Sequence, residues 1–329
     1  MNYIVLDLEW NQGTGGKGIL WAEIIEIGAV KVNEVGEVID TFSRLIRPVI
    51  YPEINKYAGS VIPVDEKELE QGTTFVDGFS KFIEWCGNDY MFCTWGAMDL
   101  TELQKNMDYY GIKNPFPFPL YYYDIQEIYS MYRKEEDTIR SLDYAVEQLG
   151  IEIKYPFHRA MWDAYYTAKV MEQLPFSNYV IYKSIDYHRT PRTRKEEIYK
   201  VYPTYSIYVT REFSSIMEAM KEKRVTSSVC YFCGKPIKKS IDWFSVGGKI
   251  YYCTAYCSVH GWMRGKLRVK KGRSKGENTI FIIKTIQYVT EHEAEEVKER
   301  QQEIKEKRKE RRKLMKETKK LLKSGQIRE

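Results

Sequence analysis

The sequence of 329 residues predicts an α/β domain with a mixed sheet, followed by a small cysteine-bearing module and a charged C-terminal helix. Three observations predict this. Three strand-like segments open the chain, and strands then alternate with helical segments, which is the order expected of a mixed sheet. Two close pairs of cysteines follow, and most residues after position 290 are charged.

The opening segments are "YIVLDLEW", "EIIEIGAVKVN" and "VIDTFSRLIRP", at residues 3–10, 23–33 and 38–48. The turn-forming "EVGE" separates the last two, so the three predict an antiparallel meander. Helical spacing follows, because Phe75, Phe79, Phe82 and Ile83 fall on one face of a helix. After the short strand "YMFCTWG", three more helices are predicted in "MDLTELQKNMDYYG", "SLDYAVEQLGI" and "WDAYYTAKVMEQL", the second with Ser141 as its N-cap.

Composition divides the chain into four parts. The α/β domain is predicted at residues 1–180, a linker with the helix "REFSSIMEAMKEKR" at 181–225, a basic zinc-binding module at 226–290 and a helical tail at 291–329. The formal net charge is −11 for residues 1–220, +12 for 221–290 and +4 for 291–329. This asymmetry suggests a metal-dependent catalytic unit beside a polyanion-binding unit. Ordinary variation between domains is the alternative.

Two carboxylates lie two residues apart on the first predicted strand. Alternation places Asp7 and Glu9 on one face, less than about 7 Å apart along the strand. Acids inside an apolar strand are costly unless a cation meets them, and a divalent metal would supply that charge. The alternative, one acid facing solvent at the end of the sheet, explains one carboxylate better than two.

Asp99, Asp163 and His158 lie in two further segments of the α/β pattern. Asp99 alone is typical of an N-cap, and "HRAMWDAYYTAKV" alone is typical of a capped helix start. Together with Asp7 and Glu9, the aspartates suggest oxygen ligands for Mg²⁺ or Mn²⁺. Two such ions about 3.5–4 Å apart cleave phosphodiesters, and a histidine suits removal of a proton from the attacking water.

The segments "DLEW", "TWGAMDLTEL" and "HRAMWDAYYTAKV" resemble, in order and separation, the motifs of the DEDDh 3′–5′ exonucleases. The resemblance covers roughly residues 1–175 and implies an RNase H-like fold. It also implies release of nucleoside monophosphates from single-stranded 3′ ends by a two-metal reaction. The family roles then fall on Asp7, Glu9, Asp99 and Asp163 as ligands of two Mg²⁺ or Mn²⁺ ions, and on His158 as general base.

"TWG" before Asp99 and "SLDYAVEQLGI" before the third motif look most like the branch of the family that trims RNA 3′ ends. One departure concerns the residues after the first motif. The family often has threonine at or soon after the glutamate, whereas Trp10 and Asn11 follow Glu9 here. Both are candidates for contacts to the terminal nucleotide; Trp10 would stack on a base or, alternatively, belong to the core.

The cysteines form two close pairs, "CYFC" and "CTAYC". This spacing predicts one structural Zn²⁺ bound by Cys230, Cys233, Cys253 and Cys257 in a zinc-ribbon or treble-clef-like module. A reducible dithiol or unliganded buried thiols are the alternatives. His260 could replace one cysteine, although four thiolates already complete the shell. Cys86 and Cys93 are expected to be buried, inert thiols.

A basic segment follows the second cysteine pair. Arginine and lysine beside an aromatic residue are typical of a surface that tracks phosphates. The candidate nucleic-acid contacts are Trp262, Arg264, Lys266, Arg268, Lys270, Lys271 and Arg273. A solvated basic loop is the alternative. The tail over residues 291–323 is expected to be a single solvated helix that either contacts structured RNA or the ribosome or only aids solubility.

The sequence therefore predicts an enzyme, a 3′–5′ exonuclease acting on RNA, with a DNA repair or proofreading exonuclease as its rival. A non-catalytic nucleic-acid-binding scaffold is the alternative from another class, and the presence of all five expected site residues disfavours it. No apolar run approaches the roughly 20 residues that span a bilayer. Acids directly follow the first apolar run, so no signal peptide is expected. The expected location is the cytoplasm, without membrane association.

Overall fold

The computed structural model describes residues 1–13, 20–56, 59, 62–135, 138–273 and 278–323. The chain forms two compact units, Met1–Arg189 and Thr190–Glu329. Among the described residues, no helix combines the length and the apolar character needed to cross a membrane.

The first unit contains a six-stranded mixed sheet, which confirms the predicted fold class. Its strand order is β3-β2-β1-β4-β5-β6. The first three strands form the predicted antiparallel meander, β1, β4 and β5 run parallel, and β6 is antiparallel to β5. The strands are β1 (Asn2–Gln12), β2 (Ala22–Val32), β3 (Val38–Leu45), β4 (Tyr90–Thr94), β5 (Tyr121–Asp124) and β6 (Ser184–Ile185).

Six described α-helices accompany this sheet. Thr74 caps the second by accepting a hydrogen bond from the backbone of Asp77. Ser141 precedes the fifth but makes no such side-chain bond, whereas Gly150 ends that helix at a φ of +65°, as a left-handed C-terminal glycine does. The helices are α1 (Glu66–Glu70), α2 (Phe75–Cys86), α3 (Met98–Tyr109), α4 (Ile125–Arg133), α5 (Leu142–Gln148) and α6 (Ala160–Gln173).

Alternation along β1 places its apolar side chains in two different cores of the first unit. Ile4, Leu6 and Leu8 pack with α2 and α3, whereas Val5 packs with α4, α5 and α6. Asp7 and Glu9 continue the side of the strand that Val5 begins. The first strand therefore directs both carboxylates toward the side on which α6 lies.

Close approach of α6 to β2 fixes the start of that helix. Gly28 lies at the contact, and a Cβ there would stand only 2.1 Å from the carbonyl carbon of Ala160. Only glycine allows the helix backbone this near to the strand. The loop that carries His158 consequently meets the sheet beside Asp7 and Glu9.

The second unit is built on an antiparallel sheet of seven strands in the order β7-β8-β13-β12-β11-β10-β9. Its strands are β7 (Ile198–Val201), β8 (Tyr205–Val209), β9 (Ser228–Val229), β10 (Pro236–Gly247), β11 (Ile250–Cys257), β12 (Gly261–Lys271) and β13 (Ile280–Tyr288). Its α-helices are α7 (Ile216–Ala219), α8 (Lys223–Thr226) and α9 (Glu291–Lys323).

This unit starts earlier than the sequence suggested. The chain divides after Arg189, and β7 and β8 lie inside the segment predicted as a linker. Pro191 and the polar character of residues 186–197 suggested a linker, but the apolar "YSIYV" that follows pairs with β13 inside the sheet. The single helix predicted near residues 211–224 is two short helices, α7 and α8.

The C-terminal helix is only partly solvated. Ala294 and Val297 are buried, Arg300 lies over the ring of Tyr252 on β11, and Arg308 donates a hydrogen bond to the carbonyl of Ser245 on β10. The first half of α9 therefore packs on the sheet through one apolar stripe, which its high charge concealed in the sequence. Beyond Arg308 the described side chains are exposed.

Candidate active site

Three elements bring the predicted site residues of the first unit together. Asp7 and Glu9 lie on β1, Asp99 lies in the first turn of α3, and Asp163 lies in the first turn of α6. Ligand atoms of Glu9, His158 and Asp163 all lie within 4.8 Å of one another. The backbone N–H of Leu8 donates to Oδ1 of Asp99 at 3.1 Å, which ties α3 to the middle of β1.

The four carboxyl groups repel one another in a buried setting. Burial raises the pKa of Glu9 to about 8, and the charges of Asp163 and other nearby acids add to the rise. Burial likewise raises the pKa of Asp99 and of Asp163 to about 7 each. The pKa of Asp7 is raised well above its ordinary value, chiefly by burial and then by Asp99. Such a cluster is typical of a site that receives cations.

His158 has a backbone conformation that few residues adopt. Its φ is +65°, in the left-handed region where histidine is tolerated better than most residues. Its N–H donates to Oδ2 of Asp163 at 3.0 Å, while its side chain is exposed. The histidine and the aspartate of the third motif are thus joined directly through the backbone, and the imidazole remains accessible.

The hydroxyl of Tyr166 fixes the loop that leads to His158. It accepts hydrogen bonds from the N–H groups of Lys154 and Tyr155 at 3.0 and 2.8 Å, and it donates to the carbonyl of Tyr155 at 2.9 Å. The ring of Tyr155 stacks on Trp162 with centroids 3.7 Å apart and planes 4° from parallel. These contacts hold the loop backbone against α6.

An ion pair beside the acids was missed from the sequence. Glu26 on β2 is fully buried and lies opposite Glu9 in the strand register. The guanidinium of Arg159 donates to it through Nε at 2.9 Å and through Nη2 at 3.3 Å. The sequence feature that could have revealed this ion pair is the single glutamate within the apolar run "IIEIG", because a buried acid needs a cationic partner.

The structure corrects the assignment of Asn11 as a contact to the terminal nucleotide. Its side chain is fully buried and donates to the carbonyls of Tyr51 and Glu53, at 3.0 and 2.9 Å. It also accepts a hydrogen bond from the backbone of Asn55 at 3.0 Å. Asn11 therefore fixes the loop after β3. Trp10 is partly buried and packs against the first core, as its alternative assignment expected.

In the second unit, β12 carries most of the predicted nucleic-acid contacts. Trp262, Arg264, Lys266 and Arg268 alternate along one side of the strand and are partly buried, because α9 packs on this sheet. Lys266 lies 5.9 Å from the ring centre of Tyr252, over which Arg300 of α9 also lies. The side chains of Lys270, Lys271 and Arg273, by contrast, are exposed.

The structure also corrects the predicted set of four cysteines. Cys230, Cys233 and Cys257 meet His260, with one ligand atom from each within 4.8 Å of the others. Cys253 lies apart from this group, fully buried, with its sulfur 3.7 Å from the hydroxyl of Ser228. The expected inert thiols Cys86 and Cys93 are buried.

The thiols differ in their chemistry. Backbone N–H groups of Val259 and His260 lower the pKa of Cys257 to about 6, whereas burial raises the pKa of Cys253 to about 12. The group formed by Cys230, Cys233, Cys257 and His260 is a candidate metal site on chemical grounds.

Comparison with known proteins agrees with the geometry of the first unit. The model of the Exonuclease (RNase_T) family matches residues 4–171. The chain is 30% identical over 176 residues to the probable 3′–5′ exonuclease KapD of Bacillus subtilis (strain 168), a match that covers 52% of this chain and 84% of KapD. It is 24% identical over 175 residues to human 3′–5′ exoribonuclease 1, and covers half of each protein.

Among solved structures, the chain resembles the nuclease domain of 3′hExo, a DEDDh family member bound to rAMP. The TM-score is 0.48 at 21% identity, over 56% of this chain and 96% of that domain. Cell-death related nuclease 4 matches with a TM-score of 0.46 at 16% identity, over 59% of this chain and 73% of the nuclease. The family match spans half of this chain and contains every acid of the site, so the chain belongs to the Exonuclease (RNase_T) family of 3′–5′ exonucleases.

Proposed function

We propose that this protein removes nucleoside monophosphates from the 3′ end of single-stranded RNA, with Mg²⁺ or Mn²⁺ as cofactor. The observation that carries the proposal is the proximity of four acids from three separate elements. Glu9 and Asp163 lie within 4.8 Å of His158, and the charges of Asp99, Asp163 and Glu9 act on Asp7. This arrangement places hard oxygen ligands and a titratable base at one point of the fold.

The residues present fit a divalent-metal site. The acids raise one another's pKa, and Arg159, whose positive charge acts on Glu9, is already bound to Glu26. Oδ1 of Asp163 is buried and has no hydrogen-bond partner among the described residues. Carboxylate oxygens without other partners are the ligands that Mg²⁺ and Mn²⁺ prefer. Asp7, Glu9, Asp99 and Asp163 would therefore hold two such ions.

When bound, a pair of such ions activates a water molecule and stabilises the leaving 3′ oxygen. The imidazole of His158 takes the proton from the attacking water, since its side chain is exposed and a ring nitrogen lies within 4.8 Å of ligand atoms of Glu9 and Asp163. The hydrogen bond from His158 N–H to Asp163 keeps the base at a fixed distance from the acids. The acids keep their relative positions because a hydrogen bond joins α3 to β1 and α6 packs against Gly28.

Two observations support RNA as the preferred substrate. The segments "TWG" and "SLDYAVEQLGI" look most like the branch of the family that trims RNA 3′ ends. The human relative, which matches half of this chain, is named an exoribonuclease. The second unit would retain the strand through the exposed cations Lys270, Lys271 and Arg273, whose sign suits a phosphate backbone.

The proposal is tested with matched single-stranded RNA and DNA oligonucleotides, each labelled at the 5′ end and incubated with Mg²⁺. We expect a ladder that shortens from the 3′ end, release of nucleoside monophosphates and faster loss of RNA. EDTA and the Asp99→Asn variant are the controls, and both should stop the reaction. Faster loss of DNA would reassign the substrate. Failure of the folded protein to shorten either strand with Mg²⁺ or Mn²⁺ would overturn the proposal.

A further inference from the structure

The second unit has two tight turns that face each other. The first follows β9, where the Cys230 N–H donates to the Lys235 carbonyl at 2.9 Å and the Gly234 N–H donates back to the Cys230 carbonyl at 2.8 Å. The second joins β11 to β12 and carries His260 three residues after Cys257. Each turn therefore presents a pair of metal-binding side chains separated by two residues, which is the spacing of a zinc knuckle.

We propose that Cys230, Cys233, Cys257 and His260 bind one structural Zn²⁺ ion as a Cys3His site, and that Cys253 is not a ligand. This site is independent of the exonuclease centre and of its divalent ions.

The distances within the group fit a tetrahedral ion. Zn–S bonds of about 2.3 Å and Zn–N bonds of about 2.0–2.1 Å imply S···S edges of roughly 3.8 Å and S···N edges of roughly 3.5 Å. Nδ1 of His260 lies 3.5 Å from Sγ of Cys230 and 3.7 Å from Sγ of Cys257. Sγ of Cys233 lies 4.0 Å from Sγ of Cys257. These separations are wider than covalent contact between thiols and match the edges of the tetrahedron.

Strand geometry excludes Cys253. It lies on the same strand as Cys257, four residues earlier, and the two pair with Gly265 and Gly261 of β12. Four residues of extended chain span about 13 Å, far beyond the edge of any zinc tetrahedron. The sulfur of Cys253 instead lies against Gly265, where a Cβ would stand 2.5 Å from it.

The histidine is held in place by a neighbouring ring. Phe232, between the two cysteines of the first turn, stacks on the imidazole of His260 with centroids 5.0 Å apart and planes 25° apart. The apolar core around the site is small and includes Tyr231, Met263 and Ile286. An ion that joins the two turns would therefore add to the β10–β11 ladder by fixing the turn after β9 to the turn of the β11–β12 hairpin.

The direct test is metal analysis and X-ray absorption on the full-length, reduced protein after removal of loosely bound metal. We expect about one zinc per chain and a first shell of three sulfurs and one nitrogen. A shell of four sulfurs, or a chain without zinc, would overturn the proposal. This measurement needs no variant and does not depend on nuclease activity.

Variants give a second, independent readout. Cys257→Ser and His260→Ala should each lower zinc retention against a competing chelator by at least tenfold. His292→Ala is the control matched for residue type, because His292 lies on the exposed start of α9. The folded fraction of Cys253→Ala should retain its zinc. Undiminished zinc in His260→Ala, or zinc lost from folded Cys253→Ala, would contradict the assignment.

Discussion

At the residue scale, the site is a set of like charges that the fold holds together against their repulsion. Asp7, Glu9, Asp99 and Asp163 all have a raised pKa, because burial and neighbouring acids favour the protonated form. The metal-free protein therefore binds protons at neutral pH that the unfolded chain has already released. Its stability should depend on pH through these groups.

The first prediction concerns Asp99. Its pKa is raised in the folded state to about 7, so its contribution to stability is full below about pH 4 and is lost as pH rises through 7. Asp99→Asn removes this titration and keeps an oxygen that can accept from the Leu8 N–H. Without divalent metal, the variant should melt several degrees above the parent at pH 8, with the difference shrinking toward pH 5. Thermal melts across this range, with EDTA present, measure it.

The same variant should have no hydrolytic activity, because one of the four proposed metal ligands is lost. Equal melting temperatures at pH 8 would show that the acids do not strain the fold. Full activity in purified Asp99→Asn would show that Asp99 is not a ligand.

The second prediction concerns His158. His158→Ala should reduce kcat by about 10²–10⁴-fold, since it removes the proposed proton acceptor, and it should leave divalent-metal affinity nearly unchanged. His292→Ala, on the exposed start of α9, is the matched control. Single-turnover cleavage and metal titration measure the two quantities. A variant that keeps the parent rate and pH profile would remove His158 from the mechanism.

The sequence could locate a functional residue only where the position depends on neighbours close by in the chain. Fixed spacing within a motif located His158 and Asp163, because one loop and one helix turn set their separation. Asn11 and Cys253 were misassigned because their surroundings come from distant parts of the chain, a loop near residue 53 and strand β12. The pairing of Cys257 with His260 was readable, since it repeats the two-residue spacing of Cys230 and Cys233.

At the scale of elements, the first turn of α6 is fixed from two directions. Gly28 lets the helix backbone approach β2, and Arg159 is bound to the buried Glu26 on the same strand. The strand and helix periods predicted both elements. The distance between β2 and α6 depends on the absence of a side chain at Gly28 and on the ion pair of Arg159 with Glu26. Hydrophobic periodicity reveals neither.

The third prediction tests the close approach. Gly28→Ala should destabilise the protein by several kcal/mol and reduce activity, because its Cβ would overlap the backbone of Ala160 and displace Asp163. Gly36→Ala is the control. Gly36 has a positive φ but open space around it, so its substitution should cost only about 1–2 kcal/mol and spare activity. Denaturant unfolding and initial rates measure both. Similar losses in the two variants would refute the packing argument.

The fourth prediction tests the ion pair. Arg159→Ala leaves the Glu26 charge buried without its partner, which costs about 3–5 kcal/mol in comparable sites. The double variant Glu26→Leu with Arg159→Leu should recover most of that stability, while the loop that carries His158 loses its anchor. We therefore expect the double variant to be folded but slower, with a lower kcat. Unfolding curves and rates for the parent, Glu26→Leu, Arg159→Leu and the double variant measure the coupling. A coupling energy near zero would show that the pair does not stabilise the fold.

At the scale of the whole molecule, charge is distributed unequally. Residues 1–220 carry a net charge of −11, and residues 221–290 carry +12. An acidic surface repels a phosphate backbone wherever bound cations do not reverse its charge. The basic part therefore suits retention of the strand. The charge asymmetry was readable from sequence, but which cations remain exposed was not, because α9 packs on the sheet that carries Arg264, Lys266 and Arg268.

The last prediction separates retention from chemistry. The triple variant Lys270→Gln, Lys271→Gln, Arg273→Gln removes three exposed cations from the end of β12 and the residues that follow it. It should raise KM and reduce the log–log salt dependence of binding by up to about 2, at roughly 0.7 for each single-strand phosphate contact. The kcat should stay nearly unchanged, because the acids and His158 are untouched.

The matched control is a triple variant in the exposed part of α9 that removes the same charge from the same unit. Its substitutions are Lys309→Gln, Arg312→Gln and Lys313→Gln. Steady-state cleavage of a short RNA at two salt concentrations, compared across the three proteins, measures both effects. If the β12 variant keeps the parent KM and salt slope while the α9 variant loses them, the strand is held by the helix. If neither variant differs from the parent in KM or in salt slope, the basic surface serves a protein partner instead.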